Sequence, residues 1–267
     1  MKIALKLIIY FCLGVSYSYV SSQSLLYDRT PNSVNLQWLR PTIPGGNLDL
    51  AFGTSRNSIT GRFSVGNNDN SIIIEVPFAY LGIKSFDDSE IALGNIYLGT
   101  ELVFNNKKVF AELGVALPTV SENPASAVGF VSDFDRPQTF AIDATTIKIR
   151  LNYAQLDEEG FIYRFRVGPD YFIISDEFRD GSELFLNYAA QLGFRATNIY
   201  GLAGVSAFTI ISESELSGAA RSQYAFNVML AISKSRVKPG IVFKVPLDND
   251  FEGLVDNVLG LFVNLQI

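Results

Sequence analysis

Histidine does not occur anywhere in the 267-residue chain. That removes the base of Ser-His-Asp and Cys-His nucleophile systems and the imidazole ligands of common zinc sites. Cysteine occurs once, as Cys12. It lies in residues 1–22, where Lys2 and Lys6 flank an apolar run from Leu7 to Val15 and Ser22 precedes Gln23, the pattern of a secretory signal. The expected mature chain therefore has no thiol chemistry and no disulfide. Past residue 22 no apolar run reaches the ~18 residues that a membrane-crossing helix needs. Nor is there a basic face for nucleic acid, because 21 Lys and Arg are scattered among 27 Asp and Glu for a net charge of -6.

What the chain does have is alternation. Ile96, Leu98, Thr100, Leu102 and Phe104 alternate with Asn95, Tyr97, Gly99, Glu101 and Val103, a strand with one apolar face. After Asn105-Asn106-Lys107 the pattern resumes, with Val109, Ala111, Leu113, Val115 and Leu117 on the apolar side. Two strands of about ten residues joined by a tight polar turn make a hairpin, and about ten residues let a tilted strand cross a bilayer. Similar segments are expected at roughly 47–55, 58–66, 71–80, 95–104, 108–117, 140–153, 161–174, 184–196, 198–211, 222–233, 237–246 and 257–267, with no amphipathic helix between them.

Connections expected to be short, such as residues 67–70 and 105–107, alternate with longer ones, including 81–94, 118–139, 175–183, 212–221 and 247–256. The expected fold is all-β, a transmembrane antiparallel up-and-down barrel of about twelve strands over residues 47–267, with short turns periplasmic and long loops outside. A soluble antiparallel sandwich is the competing architecture, since it alternates too. Residues 23–46 contain Pro31, Pro41, Pro44 and Gly45-Gly46, and fit an arm, a plug, or one extra strand at 34–39. The last strand, Leu259 to Ile267, has the alternating form that outer-membrane assembly machinery reads, with Ile in the usual place of Phe.

Membrane insertion would fix which side chains face inward, because a charge on the lipid face costs a few kcal/mol near the midplane. Ile147, Ile149 and Leu151 facing lipid put Lys148, Arg150 and Asn152 inside; Phe161, Tyr163, Phe165 and Val167 outside put Arg164 and Arg166 inside. The same parity brings Glu75, Glu101 and Glu112 inward, with Asn187, Gln191, Arg195, Gln223, Asn227 and Lys244 completing a polar interior. These charges fit either a packed network that closes a narrow barrel or a constriction that selects solutes. In the connection 118–139, Phe130, Val131 and Phe134 are candidates for an outer-loop gate, against the plainer reading of a loop packed on the rim. Tyr80, Tyr97, Tyr153, Tyr163, Tyr188, Tyr200 and Tyr224 lie near strand ends or faces, and some of them are expected to supply interfacial anchors. Acidic groups at 87–88, 157–159 and 248–252 read as solvated turns, not as catalytic pairs or a metal loop. No catalytic residue, metal or cofactor is expected.

Glu75-Val-Pro-Phe-Ala-Tyr-Leu-Gly82, Gly94-Asn-Ile-Tyr-Leu-Gly99 and Ala111-Glu-Leu-Gly-Val-Ala-Leu-Pro-Thr119 together resemble the barrels of meta-cleavage phenol-degradation pathways, within the fatty-acid and aromatic-hydrocarbon channel group. Gly94-Asn95 stands where that family has Gly-Asp. The resemblance covers about 45 residues well and implies a bacterial outer-membrane channel for passive uptake of small apolar or amphipathic compounds, with membrane lipid and the assembly machinery as partners. The alternatives are a non-conducting barrel with a structural or partner-binding role and a secreted soluble β-sandwich.

Overall fold

The computed structural model describes residues 31–44, 55–83, 88–104, 108–155, 159–176, 179–212, 222–232, 236–248 and 254–267. One antiparallel sheet holds β1 (Ser33–Thr42), β2 (Ser55–Gly66), β3 (Asn70–Ile83), β4 (Asp88–Leu93), β5 (Tyr97–Val103), β6 (Val109–Ala116), β7 (Ala144–Gln155), β8 (Gly160–Asp176), β9 (Arg179–Arg195), β10 (Ile199–Ile210), β11 (Ser222–Ile232), β12 (Val237–Pro246) and β13 (Asn257–Gln266). It closes on itself, because β1 pairs with β13 on one side and β2 on the other, and β2 pairs with β3. A two-layer sandwich is thereby excluded. β5 pairs with residues 70–75 of β3 and β4 with residues 78–83, so these two strands share one place in the wall and 13 strands make a barrel of 12 positions.

The first wall position is β1, inside the stretch 23–46 that the sequence reading treats as an arm or plug, with 34–39 as its strand option. Asn35 and Gln37 face inward and Leu36 outward, and a closed sheet needs this strand to join β13 to β2. Of the expected first strand at 47–55 only Ser55 is described, where it opens β2; residues 47–54 lie outside the described residues, as does the signal at 1–22. Two expected long loops are largely strand as well. β4 occupies much of 81–94, and β8 and β9 extend to Asp176 and from Arg179.

Alternation decides the two faces. Ile147, Ile149 and Leu151 are 42–50 % exposed, whereas Lys148, Arg150 and Asn152 are 1–4 % exposed. The same contrast recurs around the wall, with Ile72, Phe161, Leu192, Leu230, Ile241 and Leu261 among the large apolar side chains exposed outside. Hydrocarbon surroundings suit such an exterior. Tyr153 and Tyr163 stack on it, ring centres 5.8 Å apart, near the short-turn end. Tyr97 and Tyr200 are not among the anchors, being turned inward and 2 % and 4 % exposed. The Tyr97 ring lies across Gly99 and Gly114, where an added Cβ would come within 2.5 and 2.4 Å of its hydroxyl. Those glycines let one aromatic ring fill the wall's inner surface.

Between β6 and β7 the chain forms a helix, α1 (Pro124–Ser132), where none was expected, followed by a tight 3-10 turn at Pro137–Thr139. Asn123 caps α1 by accepting from the Ser126 N–H at 3.1 Å, and Pro124 occupies its first turn. The sequence Pro-Ala-Ser-Ala-Val-Gly-Phe-Val-Ser has no polar face because most of the helix is buried. It packs against β1, β2, β3 and β4, meeting Ala79, Leu81 and Ala92 on their inner faces.

Candidate functional site

The segment from α1 to the 3-10 turn fills the barrel from the loop end. Phe134 is fully buried in a cluster with Leu39, Tyr200, Leu202, Met229, Val242 and Phe262, residues from β1 and β10–β13. Phe130 and Val131 pack partly buried against the same cluster. These gate candidates therefore lie within the barrel and not on its outer rim. We refer to residues 118–143 as the plug.

Asn95, in the break between β4 and β5, ties both ends of the plug to the wall. Its Nδ2 donates to the carbonyls of Gln138 at 2.9 Å and Ala141 at 2.7 Å, while its Oδ1 accepts from the N–H groups of Thr119 at 2.9 Å and Val120 at 3.2 Å. Thr119 Oγ1 in turn donates to the Gly94 carbonyl at 2.6 Å. A Cβ on Gly94 would meet the Thr139 carbonyl oxygen at 2.6 Å, so only glycine lets the plug approach so closely.

Farther in, charged side chains link the plug to two separate parts of the wall. Lys244 on β12 donates to Asp135 at 2.6 Å and to Asp133 at 3.4 Å. Asp133 pairs with Arg136 at 2.5 Å, and Arg136 lies 3.9 Å from Glu75 on β3 while donating to Gln37 on β1 at 3.1 Å. Glu75 bonds Arg62 of β2, whose guanidinium also reaches Glu101 at 2.9 Å and Glu112 at 3.7 Å. Glu112 lies 3.7 Å from Arg166 and accepts from the Tyr97 hydroxyl at 2.9 Å. A chain of opposite charges thus runs from β12 through the plug to β3 and on to β8. Beside it, Arg150 holds Asp170 in a two-pronged pair at 2.6 and 3.2 Å, and the Lys148 ammonium sits 4.4 Å from the centre of the Tyr97 ring.

All seven sequence-derived interior candidates, Lys148, Arg150, Arg164, Arg166, Glu75, Glu101 and Glu112, are on the inner face and no more than 8 % exposed. Glu75, Glu101, Glu112 and Arg166 meet in the Arg62 network; Arg150 pairs with Asp170, and Arg164 is buried on the inner face of β8. The sequence reading passed over Arg62, although it shares the parity of Ser58 and Thr60 in an expected strand. It also passed over Asp133, Asp135, Arg136 and Asp170. Asp133-Phe-Asp-Arg136 was visible as a compact charge cluster inside an otherwise apolar loop, which is the mark of a segment carrying its own counter-ions indoors.

Several inward amides have no hydrogen-bonding partner among the described residues, including both polar atoms of Asn187 and of Gln223, which are 0 % and 3 % exposed. Buried amides need partners, so this part of the interior is suited to polar guests. A cavity of about 560 Å³ lies elsewhere, beside the outward side chains Tyr153, Phe165, Tyr188 and Tyr224. Among the described residues no group of His, Cys, Asp and Glu is arranged to hold a metal ion. Of the acidic turns, Glu159 accepts from Thr197 and Asp248 from the Tyr224 N–H, while residues 87, 157–158 and 249–253 are outside the described residues.

No protein family matches the sequence, and no curated protein is similar to it. Solved structures do match the fold. An outer membrane channel from Pseudomonas putida F1, described as COG4313, is 12 % identical with a TM-score of 0.54, covering 90 % of this chain and 96 % of that one. The NanC porin is 7 % identical with a TM-score of 0.52, over 88 % of this chain and 100 % of that one. The KdgM porin is 10 % identical with a TM-score of 0.50, over 88 % and 99 %. At these identities the similarity is one of barrel architecture.

Proposed function

We propose that the protein is a bacterial outer-membrane channel plugged by its own β6–β7 segment, and that small amphipathic molecules cross it passively when the plug moves. The observation that carries this reading is the bridge Lys244–Asp133–Arg136–Glu75, which holds the plug to β12 and β3 by side-chain contacts. The architecture shared with channels and porins supports it. So does the mixed interior: an apolar cluster that includes Val258, Val242, Met229, Leu202 and Tyr200 lines β10–β13, while the Arg62 network and the Arg150–Asp170 pair occupy β2–β8. Solutes with both an apolar body and a polar group suit such a lining better than the wholly apolar ones included in the sequence expectation. Membrane lipid and the assembly machinery are the partners this reading requires.

A second reading, a barrel that conducts nothing, is favoured by burial alone: Arg150, Arg164 and Lys244 are only 1–2 % exposed. Planar-bilayer recording of refolded residues 23–267 separates the two. Little or intermittent current is expected from the native chain and steady current from a variant with residues 124–136 replaced by a Gly-Ser linker. Silence from that variant, with folding established by circular dichroism and heat-modifiable migration, would establish the non-conducting reading.

A further inference from the structure

The geometry points to Lys244 as a recognition site for the anionic group of a solute, occupied in the plugged state by the plug's own carboxylates. This inference rests on the plugged-channel reading and names the solute class: small amphipathic organic anions, with a carboxylate as the simplest example.

The argument concerns what each wall charge keeps when the plug leaves. Arg62 retains Glu75 and Glu101, Arg150 retains Asp170, and Arg166 retains Glu112, all of them wall residues. Glu75 gives up Arg136 but keeps Arg62. Lys244 differs. Its two ion-pair partners among the described residues, Asp133 and Asp135, both belong to the plug. Its ammonium is 1 % exposed, on a strand whose neighbouring inward residue Val242 is fully buried, opposite Val258, also fully buried. An ammonium stripped of counter-ions there is strongly disfavoured. Part of that burial is the plug's own cover, so withdrawal of the plug turns the ammonium toward the lumen without an ion-pair partner on the wall among the described residues, and a solute that supplies an anion there favours opening by its differential affinity for that state.

The surrounding chemistry agrees. Asn227, paired in register with Lys244 on β11, is held by Gln191 and the Gly204 carbonyl. Two inward positions farther toward the loop end is Gln223, whose buried amide has no partner among the described residues. A polar headgroup entering from the loop end meets that amide before the ammonium. Apolar Met229, Val242 and Phe262, wall residues of the cluster that Phe134 fills in the plugged state, offer a surface for the rest of an amphipathic molecule.

The test uses the linker-replaced chain, in which the plug carboxylates are gone, with and without Lys244→Gln and Lys244→Arg. Reversal potentials are read in a potassium chloride gradient, and liposome flux is compared for hexanoate, hexan-1-ol and hexylamine. The expected result is anion preference and fastest passage of hexanoate, with K244Q lowering both by about threefold or more and K244R retaining them. Current whose selectivity ignores K244Q would overturn the anion site while leaving the channel in place. Absence of current from the folded linker variant would overturn the channel reading and this inference together. If K244Q fails to fold, cation preference, or loss of anion preference, in K244R overturns the site.

Discussion

Asn95 and Thr119 hold each other across the opening of the plug: the Thr119 N–H donates to Asn95 Oδ1 at 2.9 Å, and Thr119 Oγ1 accepts from the N–H of Ile96 at 3.1 Å. The Asn95 amide serves the far end of the plug at the same time, so one side chain sets where the segment enters the barrel and where it leaves. Its four hydrogen bonds are each worth about 1 kcal/mol in a buried setting.

Asn95→Ala is accordingly expected to lower the free energy of local plug opening by about 2–4 kcal/mol while leaving the strands paired. Amide hydrogen exchange in detergent micelles checks this. Faster exchange confined to residues 118–143 is the expected outcome, and unchanged exchange there would refute the clamp. Asn95→Asp should loosen the far end selectively, since it replaces the donor to the Gln138 and Ala141 carbonyls with an acceptor.

Arg150 and Asp170 are paired at 1 % and 0 % exposure. Removing one partner strands a buried charge, so Arg150→Met and Asp170→Asn should each destabilise the barrel by about 3–5 kcal/mol, and the double substitution by clearly less than their sum. Urea unfolding in lipid vesicles provides the measurement; additive losses would show that the two charges are not coupled.

Gly114→Ala should cost about 1–3 kcal/mol, because its Cβ would fall 2.4 Å from the Tyr97 hydroxyl and 2.6 Å from the Leu98 carbonyl oxygen. Combining it with Tyr97→Leu relieves the first clash and not the second. Partial recovery in the double variant is therefore expected by the same unfolding assay, and no recovery would mean that the backbone contact decides.

Ile149→Lys tests the outward face. At 50 % exposure this side chain meets hydrocarbon if the barrel spans a bilayer, and the substitution should cost about 2–4 kcal/mol of folding stability in phosphatidylcholine vesicles if it sits near the midplane. Equal stability of the variant and the native chain would argue against a bilayer around that position.

The wall was legible because strand parity carries its own check. Once Ile149 and Leu151 face outward, Lys148 and Arg150 have no other side to occupy, and the same logic placed Glu112 opposite Leu113. What escaped has a common physical basis. α1 is buried on most sides and so lacks the polar stripe by which a helix announces itself, although Asn123-Pro124 carried its start signal. β1 was obscured by Pro41, which is tolerated near the end of a ten-residue strand. The pairing of Asp133 and Asp135 with Lys244 joins residues more than 100 positions apart, and no local period encodes such a meeting.

The seam between β1 and β13 brings together residues such as Thr42 and Asn257, 215 positions apart, whereas most other wall contacts form between chain neighbours. Loop-closure entropy and topology therefore place this seam late in folding. On that order the contacts of α1 with β3 and β4, which are near it in sequence, are expected to form before those of the plug with Val242, Val258 and Phe262. Phe134 stands between these early and late parts, so the plug acts as the mandrel on which the final staves are bent. A chain deprived of it is expected to insert more slowly than the native chain, with the seam, not the hairpins, setting the delay.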